Sequence, residues 1–115
     1  MKRDIRLYIE DIWESILRIE EYTHPIDKEE FFNNIQIQDA IVRRLEIIGE
    51  AVKNIPQDVR GKYQSIPWQK MAGMRDIIIH EYFGVRLDRI WEVIKEDIPV
   101  LKDEISKIKK ELENT

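Results

Sequence analysis

In the stretch Arg75-Asp76-Ile77-Ile78-Ile79-His80-Glu81-Tyr82, the polar side chains Arg75, Asp76, His80 and Tyr82 are set among isoleucines. On a helix, residues four apart such as Asp76 and His80 meet on one face, while Arg75 and Tyr82, seven apart, nearly eclipse two turns on. Asp76 can therefore orient the His80 ring. An imidazole holds or releases a proton near neutral pH, and a guanidinium grips a phosphate in a fork. Together they form a minimal set for breaking an RNA phosphodiester without metal. His80 would move the proton of the ribose 2′-hydroxyl or of the leaving oxygen, and Arg75 would offset charge growing on the phosphorane. Spacing alone leaves a second explanation open, in which Asp76 and His80 form a buried pair that satisfies only itself.

The segment carrying these residues is predicted to be a helix, with Pro67 as its first residue and Gly84 as its stop. At about 100° per residue its apolar side chains go all the way round. Trp68, Ala72 and Ile79 lie near Arg75, Met71 and Ile78 to one side, and Met74 and Ile77 towards the back. Such a helix is buried on most sides, at a bundle centre or beneath a second subunit. His80 falls in its final turn, where the negative end of the helix dipole favours the protonated ring. One Arg and one His make a thin site, because this cleavage normally uses an acid and a base. A two-fold dimer pairing this helix with its mate supplies two of each in one cleft.

The rest of the chain supplies the frame. Ile5, Tyr8, Ile9, Ile12, Ile16 and Ile19 recur at helical spacing, ended by His24-Pro25. Asp27 with Glu30 three residues later resembles a cap and predicts a short helical turn through Phe31 and Phe32. Ile37, Ala40, Ile41, Leu45, Ile48, Ala51 and Val52 form a second long helix that ends before Pro56, and residues 55 to 66 read as a connecting loop. A last helix runs from about Arg86 to Glu113 on Leu87, Ile90, Trp91, Ile94, Ile98, Leu101, Ile105, Ile108 and Leu112, with a kink expected at Pro99. The predicted fold is all-α, a mostly antiparallel bundle of four main helices with one extra short helix, dimerising through the helix that carries Arg75 and His80.

With 115 residues the chain suits one domain, 1–115. The absence of Cys excludes disulfides, thiolate metal sites and cysteine nucleophiles. No apolar signal core or membrane-length apolar run is visible, so a cytoplasmic protein with no membrane partner is expected. A formal charge of −4 argues against tight unspecific binding to nucleic-acid backbone. Yet no acid stands between Asp58 and Asp76, while Arg60, Lys62, Lys70 and Arg75 supply positive charge, which makes Arg60, Lys62 and Lys70 candidate RNA contacts.

Other chemistries fit less well. Glu21 and His24 have the spacing of a carboxylate-bridged metal bundle, but that scheme needs a second pair, and His80 has Ile77 where the glutamate should be. No metal or other cofactor is expected. Trp13, Trp68 and Trp91 sit in helical stripes or at a helix start and are assigned to packing. Glu46 and Glu50 are assigned to a solvated or partner-facing surface.

The motif resembles the signature of the HEPN superfamily, an Arg followed by a polar residue and then a His. Four residues between Arg75 and His80, then one residue and Tyr82, resemble the HepT-like toxins more narrowly. Ile47-Ile48-Gly49-Glu50-Ala51-Val52, Ile66-Pro67-Trp68, Met71-Ala72-Gly73-Met74 and Ile90-Trp91 are similar to that family too, so the likeness covers almost the whole chain. It implies a homodimeric, metal-independent endoribonuclease toxin of a type VII-like toxin–antitoxin pair, with Arg75 and His80 as its catalytic residues. It also implies a partner, a minimal nucleotidyltransferase antitoxin that neutralises the toxin by transferring AMP to Tyr82. A phosphate-bearing group there would occupy the fork of Arg75 and block RNA entry. The main rival is a non-catalytic helical dimer that binds a nucleotide or the transferase without cutting anything.

Overall fold

The computed structural model describes residues 4–80 and 86–114, except for the side chains of 75–80. Among the described residues every regular element is helical. The helix α1 spans Ile5–Thr23, α2 Lys28–Phe32, α3 Ile35–Lys53, α4 Gln57–Lys62, α5 Trp68–His80, α6 Leu87–Glu92 and α7 Ile98–Glu113, with a π-helical turn at Val93–Asp97 joining the last two.

Local chemistry starts and stops these helices. Asp4 accepts from the Arg6 amide at 2.9 Å, Asp27 from Glu30 at 2.8 Å and Asn34 from Ile37 at 3.0 Å, each satisfying a first-turn N–H that has no partner inside its helix. At the far end of α1, the Thr23 hydroxyl returns to the Ile19 carbonyl at 2.7 Å and His24 forms the C-cap. The Asn54 side chain donates to the Glu50 carbonyl at 2.9 Å where α3 ends.

The predicted stripes are the observed core. Ile9, Ile12, Ile16 and Ile19 of α1 meet Ile41, Leu45, Ile48 and Val52 of α3, and Leu101 and Ile105 of α7 close the bundle. Burying each such side chain contributes about 1.5–3 kcal/mol. Lys109 reaches Glu10 and Lys102 reaches Glu20, both at 2.8 Å, so α7 runs antiparallel to α1. Phe31 of α2 is fully buried, its ring 5.4 Å from that of Trp91.

Three expectations are corrected. The segment 55–66 is not all loop, because Gln57–Lys62 forms α4. Pro67 precedes α5 rather than opening it, its carbonyl accepting from Met71 at 2.9 Å. The break expected at Pro99 appears one turn earlier, as the π turn in which the Ile98 amide donates to the Val93 carbonyl. Proline has no N–H for the Lys95 carbonyl and its ring crowds that oxygen, so the backbone widens upstream to make room. The stop placed at Gly84 lies outside the described residues.

Candidate functional site

The helix α5 carries positions 75, 76 and 80, and its first two turns are held firmly. Trp68 is only 8% exposed and Met71 is fully buried, both on the side that packs along α3. The Trp68 indole N–H donates to the Tyr63 carbonyl at 3.0 Å. Lys70 reaches from α5 to Asp97 in the π turn at 2.7 Å. Asp97 is mostly buried, so this ion pair fixes the separation of α5 from the last helix where the groove between them begins.

Helical register distributes the motif. Position 75 falls on the side of Trp68 and Met71, seven and four residues before it, whereas positions 76 and 80 continue the side of Gln69 and Gly73. Positions 75 and 80 are thus about 140° apart around α5. The side chains of Arg75, Asp76 and His80 lie outside the described residues, and Tyr82 does so entirely. The expected burial of Ile77, Ile78 and Ile79 lies outside them as well.

The cations of the charge gap whose side chains are described, Arg60, Lys62 and Lys70, are engaged with the fold. Arg60 donates through Nε to the Ile55 carbonyl at 3.0 Å and through Nη2 to the Val52 carbonyl at 2.6 Å, with its guanidinium 5.9 Å from the Trp68 ring. It caps the end of α3 and braces the start of α5 at once. Lys62 pairs with Glu111 at 3.2 Å. Glu111 also accepts a short hydrogen bond from the Tyr63 hydroxyl. That bond, then burial and the charge of Glu111, push the Tyr63 phenol up to about 12. The same bond, followed by the Lys62 ammonium, holds the Glu111 carboxyl below the usual carboxylate range.

Two hollows flank the first half of α5. One, of about 510 Å³, lies between α5 and α6 over Gln69, Lys70, Gly73, Met74, Arg89 and Glu92. The other, of about 530 Å³, lies between α4 and α5 over Gln57, Arg60, Gly61, Gln64, Trp68 and Gln69. Sequence reasoning singled out Arg60 and Lys70 here as candidate RNA contacts and Trp68 for packing, but not the glutamines. The available signal was glycine at 61 and 73, inside helices that gain nothing from it.

The other weighed sites resolve simply. Glu21 pairs with Arg18 at 2.9 Å and Glu46 lies 3.6 Å from Arg43. Trp68 is in the core, and Trp13 and Trp91 pack against it. Among the described residues no three His, Cys, Asp or Glu side chains converge as metal ligands, and no helix is long and apolar enough to cross a membrane.

Comparison with known proteins points one way. Residues 12–108 match the family model described as ribonuclease HepT-like. The chain is 53% identical over 113 residues to a Methanocaldococcus jannaschii protein named gamma-glutamylcyclotransferase and putative RNase, covering 98% of this chain and 51% of that one. The chain thus spans about half the length of this relative. It is 50% identical over 110 residues to the probable ribonuclease HepT of Thermococcus cleftensis, covering 96% of this chain and all of the relative. No solved structure matches.

Proposed function

From the premise that this chain belongs to the HepT-like ribonuclease family, we propose that it is a metal-independent endoribonuclease toxin acting in the cytoplasm as a homodimer. The match that supports this reading runs over residues 12–108, from within α1 to within α7, with Arg75, His80 and Tyr82 inside it. The register of α5 supports a shared site. One chain presents positions 75 and 80 on different sides of the same helix, so a two-fold mate is the simplest way to bring a guanidinium and two imidazoles to one phosphate.

In the proposed reaction one His80 takes the proton of the ribose 2′-hydroxyl as that oxygen attacks phosphorus. His80 of the partner subunit gives a proton to the 5′-oxygen as the P–O5′ bond breaks. The products are a 2′,3′-cyclic phosphate and a free 5′-hydroxyl, with no net change in protons. Arg75 offsets the charge that develops on the phosphorane. Asp76, four residues before His80, holds the ring in the productive tautomer. Of the candidate RNA contacts, Lys70 stands nearest the motif, at the edge of the α5/α6 groove. Arg60 and Lys62 would contact RNA only as an extension of their structural roles.

A minimal nucleotidyltransferase encoded with the toxin would neutralise it by moving AMP from ATP to the Tyr82 hydroxyl, releasing pyrophosphate. The added phosphate would engage Arg75 and fill the cleft. Incubation with such a transferase and ATP is expected to add mass in steps of one AMP to wild type and none to Tyr82→Phe. Labelling that persists in Tyr82→Phe would remove this part of the reading. In cells, wild type expressed alone is expected to arrest growth and His80→Ala to be harmless. Equal toxicity of the two would count against a catalytic role for His80.

A further inference from the structure

Gln69 lines both hollows beside α5, making them one continuous surface around its first two turns. Each hollow also contains a helical glycine, Gly61 or Gly73, with no positive φ to require it. A Cβ built at either meets nothing within 4 Å among the described residues. Glycine inside a helix is less stable than alanine, so the chain carries this cost twice without any packing need among the described residues. Bare backbone at the floor of a hollow suits something flat that approaches it closely.

The α4/α5 hollow has a particular chemistry. Gln57, Gln64 and Gln69 are exposed around it, no acid lines it, and Arg60 supplies a cation at its edge. Each carboxamide carries donors and an acceptor, Gln64 with one N–H already on the Gly61 carbonyl at 3.1 Å, and together they complement a nucleobase edge; an unpaired base can be splayed into a pocket of this kind where a duplex cannot. We infer that the hollow between α4 and α5 holds an unpaired base of the RNA substrate, with the strand reaching it from the Arg75–His80 segment along the α5/α6 groove and over Gln69.

Register gives the spacing. Positions 69, 73, 76 and 80 form one stripe on α5, and a rise of about 1.5 Å per residue puts Gln69 about 16 Å from His80. The base that is read therefore lies a few nucleotides from the bond that is cut. This inference rests on the ribonuclease reading, and its test separates the two.

Full-length wild type, Gly61→Leu and the double variant Gln57→Ala/Gln69→Ala are titrated with fluorescent 2′-O-methyl oligonucleotides, which are single-stranded and uncleavable, carrying A, C, G or U runs. Wild type is expected to prefer one base. Both variants are expected to lose about ten-fold in affinity for it and to bind all four runs alike. The double variant changes only exposed side chains, which keeps the test valid should Gly61→Leu fail to fold. In parallel, sequencing the ends of cleaved RNA is expected to show wild type's base preference a few nucleotides from the cut, and its loss in the variants. Unchanged affinity and preference in the double variant would overturn the inference while leaving the nuclease reading in place. A wild type that cuts no RNA would remove the nuclease reading, and the oligonucleotide titration would still decide what the hollow holds. A change in dimer mass with RNA binding intact would make the hollow a subunit contact and likewise overturn the inference.

Discussion

Arg60 donates from Nη2 to the carbonyl of Val52 at 2.6 Å, and so closes the end of α3 with a side chain from α4. Its Nε satisfies Ile55 in the same way, and its guanidinium lies over Trp68, the first residue of α5. Replacing it strands the Ile55 carbonyl, removes one donor from the Val52 carbonyl, which keeps the Ile55 amide at 3.1 Å, and loosens the base of the helix that carries the motif. Arg60→Ala is expected to lower unfolding stability in urea by about 2 kcal/mol, with Arg60→Lys recovering little because an ammonium cannot fork between two carbonyls. An unchanged midpoint in Arg60→Ala would show the contact to be idle.

Ser15 sits fully buried in α1, and its hydroxyl finds no hydrogen-bond partner among the described residues. Burial of an unpaired hydroxyl opposes folding. Ser15→Ala is expected to raise stability by about 1 kcal/mol, read as a higher urea midpoint at unchanged slope. A loss of stability would mean that the hydroxyl is satisfied.

The Tyr63–Glu111 bond makes the attachment of the 62–63 segment to α7 sensitive to pH in two windows. The Tyr63 phenol has its pKa raised from 10.0 to about 12 in the folded chain, so its contribution is complete below 10 and is lost as pH rises towards 12. The Glu111 carboxyl is shifted the other way, so its contribution is present above 4.5 and declines as pH falls below that value. Tyr63→Phe is expected to flatten the alkaline limb of a melting-temperature profile, and Glu111→Gln both limbs. Wild type and both variants tracing parallel curves would show that the bond does not form in solution.

Much of the frame is legible in the residues. The isoleucine stripes of α1, α3 and α7 are helical periods read directly, and Asp27 announces α2 because an N-cap acts over only three residues. The helix α4 escapes such reading: six residues are too few for a period, and Pro56 with Gly61 imitates a loop. Pro99 signals a break, but where the backbone yields depends on Val93 and Ile94 staying in the core, which is a tertiary condition. The acid-free stretch from Val59 to Arg75 is real as sequence. Its two lysines nevertheless find acids that arrive from far along the chain, Asp97 for Lys70 and Glu111 for Lys62. Arg75 and His80 are proposed from their spacing and company, and the division of positions 75 and 80 between two sides of α5 follows from counting residues once the helix is established.

Cleavage of single-stranded RNA by the purified, unmodified protein in excess EDTA decides whether this chain is a metal-independent nuclease. Wild type is expected to cut and leave 2′,3′-cyclic phosphate ends, and His80→Ala, with unchanged helicity and oligomeric mass, to be slower by at least about a hundred-fold. Equal cleavage by His80→Ala, or cleavage that EDTA abolishes and a divalent metal restores, would contradict the proposed mechanism.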